Sequence, residues 1–509
     1  MSASENNRRI AKNTFMLYIR MLLTMGVSLY TVRVVLDTLG IIDYGIYNVV
    51  GGVVTMFSFL SGTMASASQR FFAFEIGKNN MEQLKKTFSM TMNIYIVLGI
   101  VILILAETVG LWFLNHRMTI PADRIVAAHW VYQFAVLSFL MTMFTIPYDA
   151  SIIAHEKMNV YAWVSIIEVT LKLLIVYLLV LFPFDKLKLY AVLMFGVTTI
   201  VTFIYRTYCI KKFEECHLSF YWEKTLFKEL FSYSGWNLFG ALASIFSNQG
   251  VNIILNIFFG PVVNSARAIA YRINSTISQF VQNFMTATRP QIIKYYASGE
   301  KVEMLNLVFL SSKISYYLLF ILSMPVLLET NFIFNIWLKE VPDYTILFTR
   351  LIIITALIDS LSFSLKTAAQ ATGKIKVYQA TVGSVMLITL PLSYLLYEMN
   401  YPVETIFYLT IANSIICLFL RLEMLKRMIG LSVTQFVLKV VLPTLLVSCI
   451  SYILPFFLMR EFEIGILRFV IIILSGFLTT VASIYILGLS KNERQPILQT
   501  IKKIKILRS

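Results

Sequence analysis

The chain has 509 residues, of which 58% are hydrophobic and only 14% are charged, and its mean hydropathy is +0.76. Soluble domains usually have about 25% charged residues, so the composition excludes an ordinary soluble protein. Repeated apolar runs of about 20 residues predict membrane-spanning helices, because backbone polar groups must find internal partners in hydrocarbon. The runs are too long and too continuous for the alternating strands of a membrane β-barrel. The predicted fold class is therefore an all-α polytopic membrane protein.

We predict fourteen spans, each long enough to cross the hydrocarbon layer as a helix. In chain order they lie near residues 12–36, 44–67, 87–114, 125–148, 158–182, 189–210, 232–258, 263–288, 306–331, 344–369, 376–397, 402–425, 434–458 and 464–488. The first apolar run begins near Ile10 and is as long as a full span. It has no small-residue cleavage site, so we expect no cleavable leader.

The net charge of +16 could indicate nucleic-acid binding, but the basic residues follow the predicted topology instead. When loops alternate sides, 27 of the 43 lysines and arginines fall on one side, and this set includes Arg289 and Arg421. The opposite side has only Arg117, Arg124, Lys186, Lys188, Lys339 and Arg460. The positive-inside rule therefore predicts cytoplasmic termini, and no nucleic-acid partner is needed to explain the charge.

The basic tail and the cysteines suggest no cofactor. Residues 491–509 mix lysines with isoleucines and leucines, a pattern that fits either an interfacial amphipathic helix or a frayed basic tail. The four cysteines have no metal-ligand spacing and are interpreted as apolar residues. We predict neither a metal site nor a bound cofactor.

Three sequence matches at one nearly constant shift indicate an internal repeat. Residues 154–161 recur at 371–378, residues 105–108 recur at 327–330, and Gly40 corresponds to Gly260. Because this shift equals six spans, an even number, the halves are expected to insert in the same orientation, with a site between them. The predicted organisation is a bundle at 1–231, a second bundle at 232–430, two extra helices at 431–490 and a tail at 491–509.

Ten lysines and arginines fall inside the predicted spans, where charge costs several kcal/mol at mid-bilayer. Five of them lie near span ends and are explained by snorkelling: Arg33, Arg267, Lys366, Lys439 and Arg468. Lys172 lies four residues after Glu168 and is expected to pair with it. The remaining cations are predicted to form a substrate-binding cavity, and they are Arg20, Arg272, Lys313 and Arg350.

Polar stripes on spans 7 and 8 predict a wet cavity, because such faces must turn from lipid. The predicted lining residues are Asn48, Ser244, Asn248, Asn252, Asn256, Gln279, Gln282 and Asn283. Hydrogen bonding between helices is the plainer interpretation of these stripes. Asp359, Glu107 and Glu329 are candidate ion-coupling acids, although each could equally be a structural counter-ion.

Several stretches give the chain a resemblance to a known family. They are residues 43–48 (DYGIYN), residues 69–72 (QRFF) with Gly77 and Lys78, and residues 289–294 (RPQIIK). With two six-helix bundles, two extra helices and buried arginines, the chain resembles the multidrug/oligosaccharidyl-lipid/polysaccharide (MOP) exporter superfamily. Within it, the chain is most similar to Wzx-type flippases.

The resemblance implies a bacterial inner-membrane protein that moves undecaprenyl-diphosphate-linked oligosaccharide from the cytoplasmic to the periplasmic leaflet. It implies alternating access by rocking bundles, without nucleotide hydrolysis. The implied partners are this lipid-linked glycan, membrane lipids, a polysaccharide polymerase and glycosyltransferases. Arginine suits phosphate and amides suit sugar hydroxyls, which agrees with such a substrate.

Two other function classes remain open. A MATE-like drug or metabolite antiporter would need acidic residues for cationic substrates, whereas the predicted cavity is basic. A membrane polymerase or acyltransferase is less favoured, because the outer loops are short and no catalytic set is recognisable. His129 is a lone membrane histidine, which is more often a packing residue than a catalytic one.

Overall fold

The computed structural model describes residues 3–55, 58–116, 118, 120–217, 219–338, 340–490 and 493–494. These ranges are helical with short connections and contain no strand. Apart from residues 493–494, the basic tail at 491–509 lies outside the described residues. An all-α polytopic fold is confirmed.

The first seven helices build the N-terminal part of the fold. They are α1 Ala3–Thr55, α2 Ser58–Gly77, α3 Met81–Leu105, α4 Leu111–His116, α5 Ile125–Ala154, α6 Met158–Leu181 and α7 Lys186–Lys212. A π-helical segment, Ala106–Gly110, joins α3 to α4, so these two elements form one predicted span. Asn80 begins α3, since its side chain accepts a hydrogen bond from the backbone N–H of Gln83.

Eleven further helices follow. They are α8 Lys224–Phe259, α9 Pro261–Ala297, α10 Lys301–Leu328, α11 Thr330–Trp337, α12 Thr345–Ser360, α13 Phe363–Ala371, α14 Lys376–Glu398, α15 Thr405–Ile429, α16 Val433–Phe436, α17 Leu442–Glu461 and α18 Ile466–Ser483. Short π-helical segments follow α16 and α18, at Val437–Val441 and Ile484–Gly488.

The chain divides into two compact units, with a boundary inside α8. The first unit comprises residues 9–238, and the second unit comprises residues 239–509 together with residues 1–8. Here the last two long helices belong to the second unit. The four-part division drawn from the sequence stays a prediction.

Eleven helical stretches in the described ranges are long and apolar enough to cross a membrane, which makes the chain a multi-pass membrane protein. The predicted spans near 12–36, 44–67 and 263–288 are absent from this set, although each range lies largely in helix. Helix α9, which covers the last of them, is less apolar, and its Asn274, Ser278 and Gln282 line a cavity described below. A total of fourteen is compatible with the helices and stays a prediction.

Backbone conformation at three pairs of positions follows the predicted repeat. Gly40 and Gly260, which the sequence match already pairs, have φ of 79° and 78°. Asn79 and Gly299 are related by the same shift as these glycines, and their φ values are 55° and 81°. Glu156 and Gly373 lie at equivalent positions of the longest sequence match, with φ of 59° and 76°. Positive φ is uncommon outside glycine, so its recurrence supports two homologous helix arrangements.

Close packing of apolar side chains joins the helices of each unit. In the second unit, Phe348 of α12 and Phe407 of α15 are buried with ring centroids 4.2 Å apart. In the first, Val131 and Tyr132 of α5 pack with Leu187 of α7. In a bilayer such contacts stabilise helix association through van der Waals packing, because lipid is as apolar as the side chains and provides no hydrophobic driving force.

Candidate functional site

A polar cavity of about 420 Å³ lies within the second unit. Its walls come from α8, α9, α12, α13, α14 and α15. The polar lining comprises Ser244, Ser247, Asn248, Tyr271, Asn274, Ser278, Gln282, Thr355, Ser362, Thr367, Gln370, Thr389, Thr410, Asn413 and Ser414. The charged lining comprises Arg289, Asp359, Lys366 and Arg421. This is the size of a typical small-molecule site, but its walls are more polar than usual.

Three cations converge on this cavity from three helices. Lys366 is on α13, Arg289 on α9 and Arg421 on α15, and the two guanidinium groups act electrostatically on the Lys366 ammonium. In the part of the chain that the structure describes, the Lys366 side chain has no hydrogen-bond or ion-pair partner. Three like charges around one space make a positive potential, which favours binding of an anion.

Asp359 is the single acid of the described lining. Its carboxylate interacts with the Ser414 hydroxyl, and the nearby charge is that of Arg421. One carboxylate cannot balance three cations, so the described lining has a net positive charge. Asn413 is held by its own contacts, because its side-chain N–H groups donate to the Thr389 hydroxyl at 2.5 Å and the Val385 carbonyl at 3.0 Å.

A break between α12 and α13 positions Asp359 and Lys366. Residues 361 and 362 form a tight turn, with the Ser362 N–H donating to the Asp359 carbonyl at 2.9 Å. Two serines fix the turn, since the Ser312 hydroxyl of α10 donates to the Leu361 carbonyl at 3.0 Å and contacts the Ser364 hydroxyl at 2.5 Å. Asp359 and Lys366 are seven residues apart, about two helical turns, and both face the cavity.

Four of the residues predicted for the cavity or for ion coupling line it: Ser244, Asn248, Gln282 and Asp359. The side-chain carbonyl of Asn252 instead accepts a hydrogen bond from Arg267. Asn256 and Gln279 are exposed and Asn283 is half-buried, all outside the lining. Asn48 belongs to the other unit, where its amide donates to the Tyr44 carbonyl at 2.8 Å.

The four cations predicted for the cavity are not brought together. Arg20 donates to the Ser165 hydroxyl at 2.8 Å and lies over the Tyr161 ring. Arg272 is exposed on α9, where its neighbour Tyr271 lines the cavity.

The other two bind elsewhere in the second unit. Lys313 is buried against Glu493, with the charged atoms 2.6 Å apart. The Arg350 guanidinium donates to the Thr330 hydroxyl at 3.3 Å.

Two candidate coupling acids also have direct partners. Glu329 is buried and forms an ion pair with Arg468 of α18 at 2.7 Å. Glu107 accepts a hydrogen bond from the Gln133 amide at 3.1 Å. Among the three candidates, only Asp359 lies in the cavity.

Sequence reasoning missed the three cavity cations because each had a simpler explanation. Arg289 and Arg421 were counted as cytoplasmic loop charges, and Lys366 was assigned to snorkelling. The sequence nevertheless contained a signal for one of these cations, Lys366. The spacing of Asp359 and Lys366 by seven residues predicts one helical face with two opposite charges.

The sequence matches a family model described as polysaccharide biosynthesis protein over residues 10–296, more than half of the chain. The chain belongs to this family. Membership of a polysaccharide biosynthesis family agrees with the resemblance to polysaccharide exporters found in the sequence. No curated protein sequence matches the chain.

Solved structures of MOP-superfamily transporters share the fold of this family member. An outward-facing multidrug-resistance MATE transporter of the MOP superfamily has a TM-score of 0.69 at 12% identity, covering 84% of this chain and 98% of its own. A Pyrococcus furiosus MOP transporter has a TM-score of 0.68 at 12% identity, with coverages of 83% and 96%. Reverse polarity of the binding pocket suggests a different function for that transporter. A Vibrio cholerae MATE transporter has a TM-score of 0.63 at 14% identity, with coverages of 84% and 98%.

Proposed function

We propose that this protein is a flippase that moves undecaprenyl-diphosphate-linked oligosaccharide from the cytoplasmic to the periplasmic leaflet of a bacterial inner membrane. The observation on which the proposal depends is the cation set of the cavity. Lys366, Arg289 and Arg421 face one space, and the Lys366 ammonium has no ion-pair partner in the described ranges. A diphosphate would supply the missing negative charge.

The three cavity cations are better suited to bind a phosphate group than a ligand that carries a single carboxylate. Arginine presents a planar fork of donors that can bind two phosphate oxygens, and lysine acts as a point charge beside it. With two arginines and one lysine on three helices, several oxygens could be contacted from different directions. Binding would then draw α9, α13 and α15 together around the headgroup.

The remaining lining suits sugar hydroxyl groups. Asn248, Asn274 and Gln282 contribute amide donors and acceptors, and serine and threonine hydroxyls surround them. A cavity of about 420 Å³ can hold a diphosphate with an adjoining sugar. Membership of a polysaccharide biosynthesis family supports a glycan as the group attached to the phosphate.

A multidrug exporter is the main competing function, because multidrug MATE transporters share the fold. A cationic drug in this cavity would meet three cations and a single carboxylate, and Arg421 already acts on that carboxylate. Like-charge contacts in a low-dielectric site oppose binding. The charge balance therefore favours an anionic substrate.

In the proposed cycle the protein uses alternating access, and the termini face the cytoplasm as the positive-inside rule predicts. A polysaccharide polymerase would act on the product in the outer leaflet, and glycosyltransferases would supply the substrate in the inner leaflet. Neither step requires chemistry by the flippase itself. A purified protein that altered the substrate covalently would contradict the proposal.

Gene deletion with complementation tests this function. Deletion should cause lipid-linked glycan to accumulate in the cytoplasmic leaflet, and the wild-type gene should reverse the accumulation. Lys366→Gln should fail to reverse it at normal protein abundance. Lys439→Gln is the matched control, because Lys439 is exposed in the π-helical segment after α16. Unchanged glycan distribution in the deletion strain would overturn the proposal.

A further inference from the structure

A buried carboxylate without a direct partner lies in the first unit. Asp149 is on the last turns of α5, and its Oδ1 is buried with no hydrogen-bond partner in the described residues. The positive charge acting on it is that of Arg20, on α1. No carboxylate forms an ion pair with Arg20 in the described part of the chain. The carboxylate and the guanidinium are therefore near each other without being paired.

Arg20 is instead held by α6. Its Nε donates to the Ser165 hydroxyl at 2.8 Å, and its guanidinium lies 4.3 Å from the centre of the Tyr161 ring. These contacts hold the arginine on α6. An isolated ionised carboxylate in such a place is unstable unless it gains a proton or a counter-charge.

Among the described residues, no cation other than Arg20 acts on Asp149. Tyr95 of α3, Tyr161 of α6, and Tyr205 and Cys209 of α7 are neutral groups affected by its charge. Glu168 of α6 also acts on Tyr205, but it is paired with Lys172 at 2.6 Å. From α2, the Ser68 hydroxyl contacts the Tyr95 hydroxyl at 3.4 Å. Arg206 of α7 acts on the adjacent Tyr148.

The predicted repeat relates this position to the cavity of the second unit. Asp149 corresponds to Lys366 under the same shift that brings residues 154–161 onto 371–378. Each lies on the helix that precedes this repeated segment, and neither has an ion-pair partner in the described ranges. Equivalent positions thus hold an acid in one unit and a base in the other.

We propose that Asp149 is a proton-binding site of the first unit, with Arg20 as its switchable counter-charge. With the proton bound, Asp149 is neutral and Arg20 stays on Ser165 and Tyr161, the arrangement seen here. Loss of the proton to solvent leaves a carboxylate, and Arg20 turns from α6 to pair with it. One proton thereby changes a contact between α1 and α6.

This site deepens the proposed function, because a proton moving inward could be exchanged for a lipid-linked anion moving outward. The first unit would then bind the proton, and the second unit would bind the phosphate. The proton site can be tested without any transport measurement. Its failure is therefore distinguishable from failure of the proposed function.

Infrared difference spectroscopy of the full-length protein in lipid nanodiscs, titrated from acid to alkaline pH, tests the proton site. Asp149→Asn should remove one protonated-carboxyl band, and Asp149→Glu should shift its frequency. Asp343→Asn is the matched control, because Asp343 is exposed in a loop before α12, and it should keep the band. An unchanged band in both Asp149 variants would overturn the proposal. If the Asn variant does not fold, the frequency shift in the Glu variant decides the assignment.

A second titration tests the role of Arg20. Arg20→Gln should move the pH midpoint of the Asp149 band, because the counter-charge is lost. Arg460→Gln removes an exposed arginine of α17 and should leave the midpoint in place. Equal midpoints in the wild type and Arg20→Gln would refute the switch. In proteoliposomes, Asp149→Asn should also make glycan translocation insensitive to an imposed pH gradient, and retained sensitivity would contradict the exchange.

Discussion

The Nζ of Lys313 lies 2.6 Å from the Oε2 of Glu493, although the two residues are 180 positions apart. Lys313 is buried in α10, and Glu493 follows the last helix of the described chain. A second contact from the same ammonium reaches the Gly488 carbonyl at 3.4 Å. The pair thus links the segment that follows α18 to α10.

Breaking this pair should destabilise the protein. Burial alone would raise the pKa of Glu493, but hydrogen bonds from Lys313 and the Ser490 N–H outweigh it and lower the pKa. Lys313→Met leaves that carboxylate half-buried and unpaired, a change that costs about 3–5 kcal/mol in buried pairs. Thermal unfolding in detergent should show the loss. Lys439→Met, at an exposed site, should change little, and equal stability of both variants would contradict the assigned role.

A second ion cluster should make stability depend on pH. Arg124 bonds Asp43 and Asp185, with its Nη1 3.0 Å from the Asp185 Oδ2, and thereby links α1 to the start of α7. Burial by itself would raise the pKa of Asp185, but the Lys188 N–H and the Arg124 guanidinium outweigh it and hold the pKa below the ordinary value. A lowered carboxyl pKa stabilises the fold above the unfolded-state pKa, and this contribution is lost as pH falls through the folded-state pKa.

Arg124→Gln should therefore cost about 1 kcal/mol at neutral pH, because the cluster is partly exposed. The difference in melting temperature between wild type and variant should shrink in acid, as Asp185 takes up a proton in both proteins. Melting curves across the acid range measure this directly. A difference that stays constant with pH would show that the ion pair contributes nothing through Asp185.

The cavity cations should determine anion affinity. Hydrogen bonds to charged groups contribute about 1.5–3 kcal/mol, so Lys366→Met should weaken binding of pyrophosphate or undecaprenyl diphosphate about 10- to 100-fold. Calorimetry on the purified protein gives the affinity. Lys439→Met should bind like the wild type. Wild-type affinity in Lys366→Met would place the anion elsewhere.

Substitution of either of two glycines at helix junctions should destabilise the protein. Gly40 and Gly260 have φ of 79° and 78°, and an added Cβ would meet nothing within 4 Å at either site. The cost of Gly→Ala is then backbone strain alone, about 1–3 kcal/mol. Gly45→Ala is the control, since Gly45 has open space and no positive φ. Thermal unfolding should show lower melting temperatures for Gly40→Ala and Gly260→Ala than for Gly45→Ala. Equal melting temperatures for the three variants would argue against backbone strain.

The sequence by itself determined the fold class and the approximate positions of the helices. Hydrophobic runs of span length have few solutions in lipid, because only helices and closed barrels satisfy the backbone there. The repeat was predicted from sequence matches, and the positive φ at both Gly40 and Gly260 agrees with it. These features depend on local chain chemistry, which residues near in sequence specify.

Only the tertiary structure decided which charges face a cavity and which have counter-ions. The sequence placed Lys313 in the cavity and Lys366 near a span end. In the structure Lys313 pairs with Glu493, from beyond the last long helix, and Lys366 lies near two arginines in the cavity. Helical periodicity gives the relative angle of two side chains on one helix, but not which neighbouring helix they face. A long side chain also reaches several ångströms from its backbone, so a partner distant in the chain determines whether its charge is compensated.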